Sequence, residues 1–307
     1  MKAAYFMKCG GPEVMEYGDV PDPVVSAGEV LVDVHAASVN GADWKVRSGR
    51  YAEILAFPYV PGRDFSGVVS AAGDGVRDLR VGDPVFGVLD VGREGAYAEK
   101  VAIEAAIVAR KPASLSHVEC AAIALTGLTA LVSVEDTLRL ERGERILIQG
   151  GAGGVASLAI QIAKHLGAHV ITTASAANTA YVRGLGADQV IDYDAQDFTH
   201  AVSGLDAVFD TVGGDVAKRS YQVLRPGGRI AFIASGSVLP PAPRDDVASL
   251  RPNVRRDRAH LERLVELVTG GALRLPGITT YRLADAAAAH RLSEGRHLRG
   301  KLVFKIR

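Results

Sequence analysis

The sequence predicts an α/β protein in which a β-rich region precedes a doubly wound parallel sheet. Up to about Lys111, short β-branched runs are separated by Gly, Pro and Asp, as in strands joined by turns. From Leu115 onward, longer apolar segments alternate with strand-like runs, which is the pattern of βαβ units around a parallel sheet. Because the pattern changes there, we expect a domain boundary between Ser116 and Ala121.

Each predicted strand is a short β-branched run bounded by turn residues. In the β-rich region the runs are Glu29 to Ala36, Gly67 to Ala72, Pro84 to Val88 and Tyr97 to Ile103. In the second region they are Arg145 to Gln149, His169 to Thr173, Gln189 to Tyr193, Ala207 to Val212 and Arg229 to Ser235. The second set is continuously hydrophobic, so we expect burial on both faces.

Apolar residues at helical spacing predict the remaining elements. Val155 to Leu166 is the helix after the first strand of the second region. Arg258 to Thr269 is amphipathic and ends at two glycines. A further helix, Leu283 to Leu292, precedes a final strand, Lys301 to Ile306, which we expect to rejoin the β-rich region.

Composition argues against nucleic acid and membranes as partners. Of 307 residues, 48% are hydrophobic, enough for the cores of two globular domains. Lys and Arg total 35 and so do Asp and Glu, so no net charge favours anionic partners. The start lacks a signal-peptide core, residues 146–163 are broken by Gly and Gln, and two cysteines are too few for a disulfide framework. We expect a soluble cytoplasmic protein with a small-molecule partner.

A glycine-rich loop follows the first buried strand of the second region. Gly151, Gly153 and Ala156 match G-x-G-x-x-G/A between a strand and a helix, which favours dinucleotide binding over a merely tight turn. A pyrophosphate approaches backbone N–H groups at a helix N-terminus, where a Cβ at Gly153 or Gly154 would obstruct it. The predicted cofactor-binding residues of the loop are Gly151, Ala152, Gly153, Gly154 and Val155.

The next strand ends without a carboxylate. NAD-binding proteins usually carry Asp or Glu about 20 residues after the loop, to bind the ribose 2′-OH. Here the strand ends Ile171 to Ser175, so a 2′-phosphate meets no repulsion and the sequence favours NADPH. Ser175 can donate a hydrogen bond to that phosphate and Tyr193 can lie beside it. Arg183 either adds a positive charge there or is a solvated helix cation, and the sequence leaves both open.

Seven segments along the chain carry a further signal. They are VNGADWKVRSGRY (39–51), PYVPGRDFSGVV (58–69), VGDPVFG (81–87), GGAGGVASLAIQIAK (150–164), GADQVIDY (186–193), FDTVGG (209–214) and RGKLVFKI (299–306). In number and order they resemble the quinone oxidoreductase, or zeta-crystallin-like, group of the medium-chain dehydrogenase/reductase superfamily.

The resemblance implies a fold and an assembly. A GroES-like β-rich catalytic domain, residues 1–120 and 267–307, would be interrupted by a Rossmann NADPH-binding domain of doubly wound parallel-sheet type, residues 121–266. The active-site cleft would lie between them. Family members also suggest a homodimer formed by pairing edge strands near Val247 to Val254.

The chain departs from zinc-dependent relatives of this group at the ligand positions. Those relatives have Cys where Asn40 stands and Gly-His-Glu where Gly62-Arg63-Asp64 stands. The soft and imidazole ligands are therefore missing, and Gly92 to Ala98 leaves no room for a cysteine-rich lobe. We expect no metal. Hydrogen bonds alone would then stabilise an oxyanion, which suits a quinone or enone, whose reduced product is a delocalised enolate or phenolate.

The resemblance also supplies catalytic candidates. Asn40 would hold the substrate carbonyl or a ribose hydroxyl, or else it caps a local turn. Lys45 and Tyr51 would reach the nicotinamide ribose and the substrate, with Tyr51 the preferred donor and bulk water the proton source. Asp43 is expected to brace the motif as an N-cap.

Further cofactor residues are implied outside the loop. Thr126 and Thr129 would orient the carboxamide, unless they only bond to helix backbone. Lys301 would close over the cofactor from the final strand. Val212 and Ser235, at the ends of two strands, complete the predicted set.

Three functional alternatives remain at this point. The main prediction is a zinc-independent, NADPH-dependent reductase of quinones or α,β-unsaturated carbonyl compounds. A tailoring enoyl reductase or cyclase of a biosynthetic pathway, or a non-catalytic NADPH-binding protein, would carry the same motifs. Gly295 to Lys301 reads G-x-x-x-x-G-K, but Leu302 follows where a P-loop requires Ser or Thr, so a P-loop is rejected.

Overall fold

The computed structural model describes residues 1–51, 54, 56–234, 241–295 and 298–307. Ser235, one of the predicted cofactor residues, lies outside these ranges. The chain forms two compact units, which we call the β-rich unit and the parallel-sheet unit. The β-rich unit comprises Met1–Leu125, Arg256–Val265 and Gly277–Arg307, and the parallel-sheet unit comprises Thr126–Arg255 and Glu266–Pro276.

Both units contain β-strands. In chain order they are β1 (Lys2–Phe6), β2 (Met15–Asp19), β3 (Glu29–Val39), β4 (Asp64–Ala72), β5 (Pro84–Val88), β6 (Lys100–Glu104), β7 (Ala109–Arg110), β8 (Arg145–Ile148), β9 (His169–Ala174), β10 (Gln189–Asp192), β11 (Leu205–Asp210), β12 (Leu224–Phe232), β13 (Ala248–Leu250), β14 (Ile278–Arg282) and β15 (Lys301–Lys305).

The helices connect these strands. In chain order they are α1 (Gly41–Arg47), α2 (His117–Leu131), α3 (Gly154–His165), α4 (Thr179–Gly184), α5 (Phe198–Ala201), α6 (Gly214–Arg219), α7 (Arg258–Thr269) and α8 (Ala286–Glu294). A π-helical turn, Val132–Thr137, continues α2. Short 3₁₀ turns occur at Pro12–Val14, Ala105–Ile107, Ala176–Asn178, Ser220–Val223 and Leu283–Asp285.

The main sheet of the β-rich unit is mostly antiparallel. Among the described residues it runs in the order β14-β15-β3-β4-β5-β7, and β6 also pairs with β3. Val30, Val32 and Val34 of β3 are buried while the residues between them are partly exposed, because successive side chains point to opposite faces. β15 pairs antiparallel with β3, so the predicted return of the final strand is confirmed.

The parallel-sheet unit is built around a fully parallel sheet. Within the described residues its strand order is β10-β9-β8-β11-β12-β13. Counted from β8, this is the order 3-2-1-4-5-6 of Rossmann dinucleotide-binding sheets. The predicted doubly wound sheet is therefore confirmed. Between β8 and β11 the strand order reverses, and ligands of such sheets bind at the carboxyl ends of the strands at this switch point.

Several strand boundaries differ from the predicted ones because pairing partners are remote in sequence. β3 extends to Val39, since its last residues pair with β15. β4 begins at Asp64 rather than Gly67, since it pairs there with β5. β12 begins at Leu224 rather than Arg229, because Leu224 pairs with β11 ahead of a register shift. β14 is not predicted by the sequence pattern, and among the described residues it pairs with β15.

One apolar helical stretch deserves comment as a possible membrane span. Among the described residues, the 21-residue helical stretch His117–Thr137 is long and apolar enough to cross a membrane. Its most apolar segment is 72% buried inside the protein. The core helix of a soluble protein can have the same length and composition, so this stretch is weak evidence for a membrane span.

Candidate functional site

Asn40 and Asp43 together begin α1. Asn40 is the N-cap, its backbone N–H donates to Asp43 Oδ2 at 2.8 Å, and the Asp43 N–H donates to the Asn40 carbonyl at 3.0 Å. The expectation that Asp43 is the N-cap is therefore wrong. Asp43 is the third helical residue, whose carboxylate reaches back to the cap and stabilises the helix that carries Lys45.

The Asn40 side chain lies in a buried polar cluster. Its Nδ2 donates to Asp64 Oδ1 at 2.9 Å, and its Oδ1 accepts from Lys301 Nζ at 2.8 Å. Lys301 Nζ also donates to the Val39 carbonyl at 2.9 Å. Both ends of the amide are thus bonded within the protein, in what we call the Lys301–Asn40–Asp64 cluster.

Burial sets the electrostatics of this cluster. Asp64 is 0% exposed and Lys301 is 3% exposed. Burial raises the pKa of Asp64, opposed by the charge of Lys301, and burial lowers the pKa of Lys301, opposed by the charge of Asp64. Asp64 also accepts from Ser38 Oγ at 2.9 Å and from the Leu125 N–H at 3.3 Å. Each charge is therefore held by the other and by hydrogen bonds.

Asp43 is a buried carboxyl with a neutral partner. Tyr97 donates its hydroxyl to Asp43 Oδ2 at 2.7 Å. Burial raises the pKa of Asp43 to about 6, against the opposing hydrogen bonds from Asn40 and Tyr97. Asp43 therefore changes charge inside the pH range in which most enzymes work.

Asp43→Asn is expected to change how stability depends on pH. Because the folded state raises the pKa of Asp43 from 3.8 to about 6, its contribution is fully present below pH 3.8 and is lost as pH rises towards 6. Between those pH values, the free energy of unfolding of the wild type should fall by up to about 3 kcal/mol more than that of the variant, at about 1.4 kcal/mol per pKa unit. Denaturant unfolding measures both. Exposed Asp74→Asn is the control, and parallel curves for wild type and Asp43→Asn would contradict the prediction.

Tyr51 lies over a buried ion pair. Its side chain is 46% exposed, and the Arg63 guanidinium lies 5.0 Å from its ring centroid. Arg63 Nε donates to Glu94 Oε1 at 3.0 Å, and Tyr59 donates its hydroxyl to Glu94 Oε2 at 2.8 Å. Arg63, at a position where zinc-dependent relatives have His, thus supports the Tyr51 ring. The sequence shows Arg63 at this position but gives no sign that Glu94 is its partner.

A cavity in the β-rich unit opens beside Tyr51. Its volume is about 650 Å³, and its lining includes Tyr51, Tyr59, Val46 and Val60. Lys45 lies on the same helix as Val46, with Nζ 5.7 Å from the Trp44 ring centroid. Two phenols and apolar side chains therefore line a space of the size that small-molecule ligands occupy.

The glycine loop has a conformation that side chains would disturb. Gly150 has φ +73°, in the left-handed region that favours glycine. A Cβ on Gly151 would lie 2.3 Å from Thr172 Oγ1 and would push the loop off β9. The Gly150 N–H donates to Thr173 Oγ1 and the Gly151 N–H to the Thr173 carbonyl, each at 2.9 Å.

The N-terminus of α3 faces the end of this loop. Gly153 is the N-cap, and its carbonyl accepts from the Ser157 N–H at 2.9 Å. The N–H groups of Gly154, Val155 and Ala156 have no acceptor within the helix, since the first turn leaves them without one. With the positive end of the helix dipole, these groups suit a phosphate, so the loop fits a dinucleotide.

Ser175 and Tyr193, the residues predicted to bind a 2′-phosphate, directly follow two paired strands. β9 and β10 pair in parallel up to Ala174 and Asp192, the residues just before them. The Tyr193 N–H donates to the Ala174 carbonyl at 3.3 Å, and its side chain is 52% exposed. Ser175 Oγ accepts from Asn178 Nδ2 at 3.1 Å and retains its own proton for donation.

Val212 lies against the glycine loop from the neighbouring strand. The Asp210 carboxylate accepts the N–H groups of Val212 and Gly213, at distances of 3.0 to 3.1 Å. A Cβ on Gly150 would lie 3.0 Å from Val212 Cγ2. The ends of β8 and β11 are thus adjacent, with Val212 beside the loop. Burial raises the pKa of Asp210, against the bonds from these N–H groups.

Thr126 and Thr129 lie in α2. Thr126 is buried, Thr129 is partly exposed, and the Thr129 carbonyl accepts from Ser133 Oγ at 2.6 Å. Their orientation of a carboxamide, like the closure of Lys301 over a cofactor, stays a prediction.

The part of the chain that the structure describes holds no group of three or more His, Cys, Asp or Glu arranged for a metal ion. Asn40 and Asp64 stand at two of the positions where the resemblance implies ligands in zinc-dependent members, and they bond to one another. Arg63, at the third, is a cation.

Comparisons with known proteins bear on the whole chain. The zinc-binding dehydrogenase family matches residues 185–304, and the alcohol dehydrogenase GroES-like domain matches residues 26–113. A 2-methylene-furan-3-one reductase of Solanum lycopersicum is 35% identical over 272 residues, covering 85% of this chain and 69% of the relative.

Two solved structures match over nearly their full length. A quinone oxidoreductase from Coxiella burnetii is 36% identical with TM-score 0.92, covering 100% of this chain and 99% of that chain. Escherichia coli quinone oxidoreductase complexed with NADPH is 28% identical with TM-score 0.91, covering 100% of both chains.

A GroES-like sheet and a Rossmann sheet with a glycine loop at its switch point, carried by one chain, define a medium-chain dehydrogenase/reductase. The likeness at family level extends across both units. The chain belongs to the quinone oxidoreductase family of this superfamily.

Proposed function

We propose that the protein is an NADPH-dependent reductase that acts on a quinone or an α,β-unsaturated carbonyl compound without zinc. The observation that carries the proposal is the glycine loop at the switch point, next to β9, which is followed by Ser175 and not by a carboxylate. Relatives named as a furanone reductase and as quinone oxidoreductases support it. When bound, NADPH supplies the hydride.

The cofactor would be held by groups of the parallel-sheet unit. The N–H groups of Gly154 and Val155 would receive the pyrophosphate, and Gly151 and Ala152 would carry the backbone beneath it. Ser175 would donate to the 2′-phosphate, with Tyr193 alongside. Val212 would pack against the nucleotide, and Thr126 and Thr129 would orient the carboxamide, as proposed from the resemblance.

Tyr51 is our choice for the group that donates to the substrate oxygen. It is half exposed, and its ring rests on the Arg63 guanidinium, which fixes its position. Lys45 would assist, and solvent would supply the proton. Asn40 donates from Nδ2 to Asp64 and to the Ser38 carbonyl and accepts from Lys301, so it would act through the remaining lone pair of its Oδ1.

We base the proposed zinc independence on the residues at positions 40, 63 and 64, where the resemblance implies ligands in zinc-dependent members. Arg63 would repel a divalent cation, and it is already paired with Glu94. The match to the zinc-binding dehydrogenase family spans residues 185–304, a range that contains none of positions 40, 63 and 64. Hydrogen bonds would therefore stabilise the developing oxyanion.

We also propose a cytoplasmic homodimer with the predicted domain division, 1–120 and 267–307 against 121–266. The bounds of the two compact units support the division in outline. β13 (Ala248–Leu250) lies at one edge of the parallel sheet and is placed to pair with a second copy.

The test is a titration of purified protein with NADPH and NADH, followed by turnover. We expect a raised melting temperature with NADPH, weaker binding of NADH, and NADPH oxidation by at least one quinone or enone of a panel. Elemental analysis should find no stoichiometric zinc. Tight NADPH binding without turnover would support a non-catalytic binding protein, and no response to either nucleotide would contradict the proposal.

A further inference from the structure

Gln149 joins the ends of neighbouring strands at the switch point. It follows β8 directly, precedes the glycine loop and is 1% exposed. Its side-chain Oε1 accepts from Thr173 Oγ1 at 2.8 Å, and Nε2 donates to Ser220 Oγ at 3.2 Å. Its backbone N–H donates to the Phe209 carbonyl at 3.0 Å, and its carbonyl accepts from Thr211 Oγ1 at 2.7 Å. One residue thereby bonds to the ends of β9 and β11.

The hydrogen bond between Gln149 and Thr173 is connected to the glycine loop through a second hydrogen bond. Thr173 Oγ1 donates to Gln149 and accepts the Gly150 N–H at 2.9 Å. The Thr173 carbonyl accepts the Gly151 N–H at 2.9 Å. The side chain of Gln149 therefore orients the hydroxyl that holds the first N–H of the loop, and bonds in such a chain polarise one another.

The partners determine which way the Gln149 amide faces. Ser220 Oγ donates its proton to the Val216 carbonyl at 2.8 Å, so it can only accept from Gln149 Nε2. The Thr173 hydroxyl accepts from Gly150, so it donates to Oε1. Both hydroxyl partners fit this orientation, and an apolar side chain at position 149 would leave the hydroxyls of Thr173 and Ser220 without this partner.

We propose that Gln149 is a positioning residue for the cofactor site. Its side chain is buried, so it would act through its neighbours and not by touching the cofactor. Through Thr173, which precedes Ala174 and Ser175, it ties the 2′-phosphate end to the loop. Its backbone carbonyl, which accepts from Thr211 Oγ1, joins the same loop to β11, and side-chain substitutions at position 149 keep this bond. The three strand ends that would contact NADPH are thus held in one arrangement. This inference rests on the proposed function.

The matched control is Gln161, a second buried glutamine of the same unit. Its Nε2 donates to the carbonyls of Ser157 and Arg274, and its Oε1 accepts the Arg274 N–H at 2.7 Å. Gln161→Leu thus removes a buried amide whose hydrogen bonds go to Ser157 and Arg274 and not to the strand ends.

The experiment compares Gln149→Leu, Gln149→Glu and Gln161→Leu by NADPH titration and by the melting temperature of each protein without nucleotide. We expect Gln149→Leu to weaken NADPH binding by about 10-fold or more. Its KM for NADPH should rise while kcat at saturation changes little. Gln149→Glu keeps the acceptor for Thr173 and should recover part of the affinity. Gln161→Leu should lower the melting temperature yet leave NADPH binding within about 2-fold.

Equal NADPH affinity in Gln149→Leu and Gln161→Leu would overturn the inference, whereas a wild type that binds no NADPH would overturn the proposed function itself. If Gln149→Leu fails to fold, Thr173→Val and Thr173→Ser decide the matter. Only the valine variant removes the hydroxyl, so only it should weaken NADPH binding. Equal affinity in these two variants would also overturn the inference.

Discussion

Lys301→Met is expected to lower the free energy of unfolding by about 3 to 5 kcal/mol, the usual cost of removing one partner of a buried charge pair. The change leaves the Asp64 carboxylate, which is 0% exposed, without the cation that opposes its desolvation. Asn40 Oδ1 and the Val39 carbonyl lose their donor as well. Denaturant unfolding at neutral pH measures the loss.

Two further variants separate charge from packing. Lys305→Met changes an exposed lysine of the same strand and should stay within about 0.5 kcal/mol of the wild type. Adding Asp64→Asn to Lys301→Met removes the unpaired charge and should restore part of the stability. The loss in Lys301→Met should also shrink as pH falls, because Asp64 then takes up a proton. If Lys301→Met is as stable as Lys305→Met, Lys301 does not stabilise the folded protein through the Lys301–Asn40–Asp64 cluster.

Short-range patterns were enough to predict the parallel sheet and its glycine loop. Gly151, Gly153 and Ala156 lie within one turn, and the strand before them is a continuous apolar run, so the local sequence contains the signal. The missing carboxylate at the end of β9 is equally local. The close approach of Gly151 to Thr172 could not be predicted in this way, because it depends on the pairing of β8 with β9.

The polar clusters could not be predicted, because their members are remote in sequence. Lys301 and Asn40 are 261 residues apart, and Arg63 and Glu94 are 31 apart. No periodicity connects such positions, and buried charges follow no hydrophobic pattern. The wrong assignment of Asp43 as an N-cap has a similar cause, since Asn and Asp both suit that position and only the helix start decides between them.

Gly151→Ala is expected to weaken NADPH binding by up to about 100-fold, the largest effect on affinity that we predict. The new Cβ would lie 2.3 Å from Thr172 Oγ1 and 3.1 Å from Ile160 Cδ1, far inside van der Waals contact. Overpacking of this kind costs about 1 to 3 kcal/mol, and the loop relieves it by moving away from β9. That movement displaces the N–H groups that would meet the pyrophosphate.

Gly184→Ala is the control, because a Cβ at this helical position in the same unit meets nothing within 4 Å. Thr172→Ala removes both Thr172 atoms that crowd position 151, and these are Oγ1 and Cγ2. The clash requires both residues. The loss of NADPH affinity in the double variant Gly151→Ala/Thr172→Ala should therefore be smaller than the sum of the losses in the two single variants. Additive losses would mean that Gly151 is needed for another reason, and unchanged NADPH binding in Gly151→Ala would remove the loop from the cofactor site.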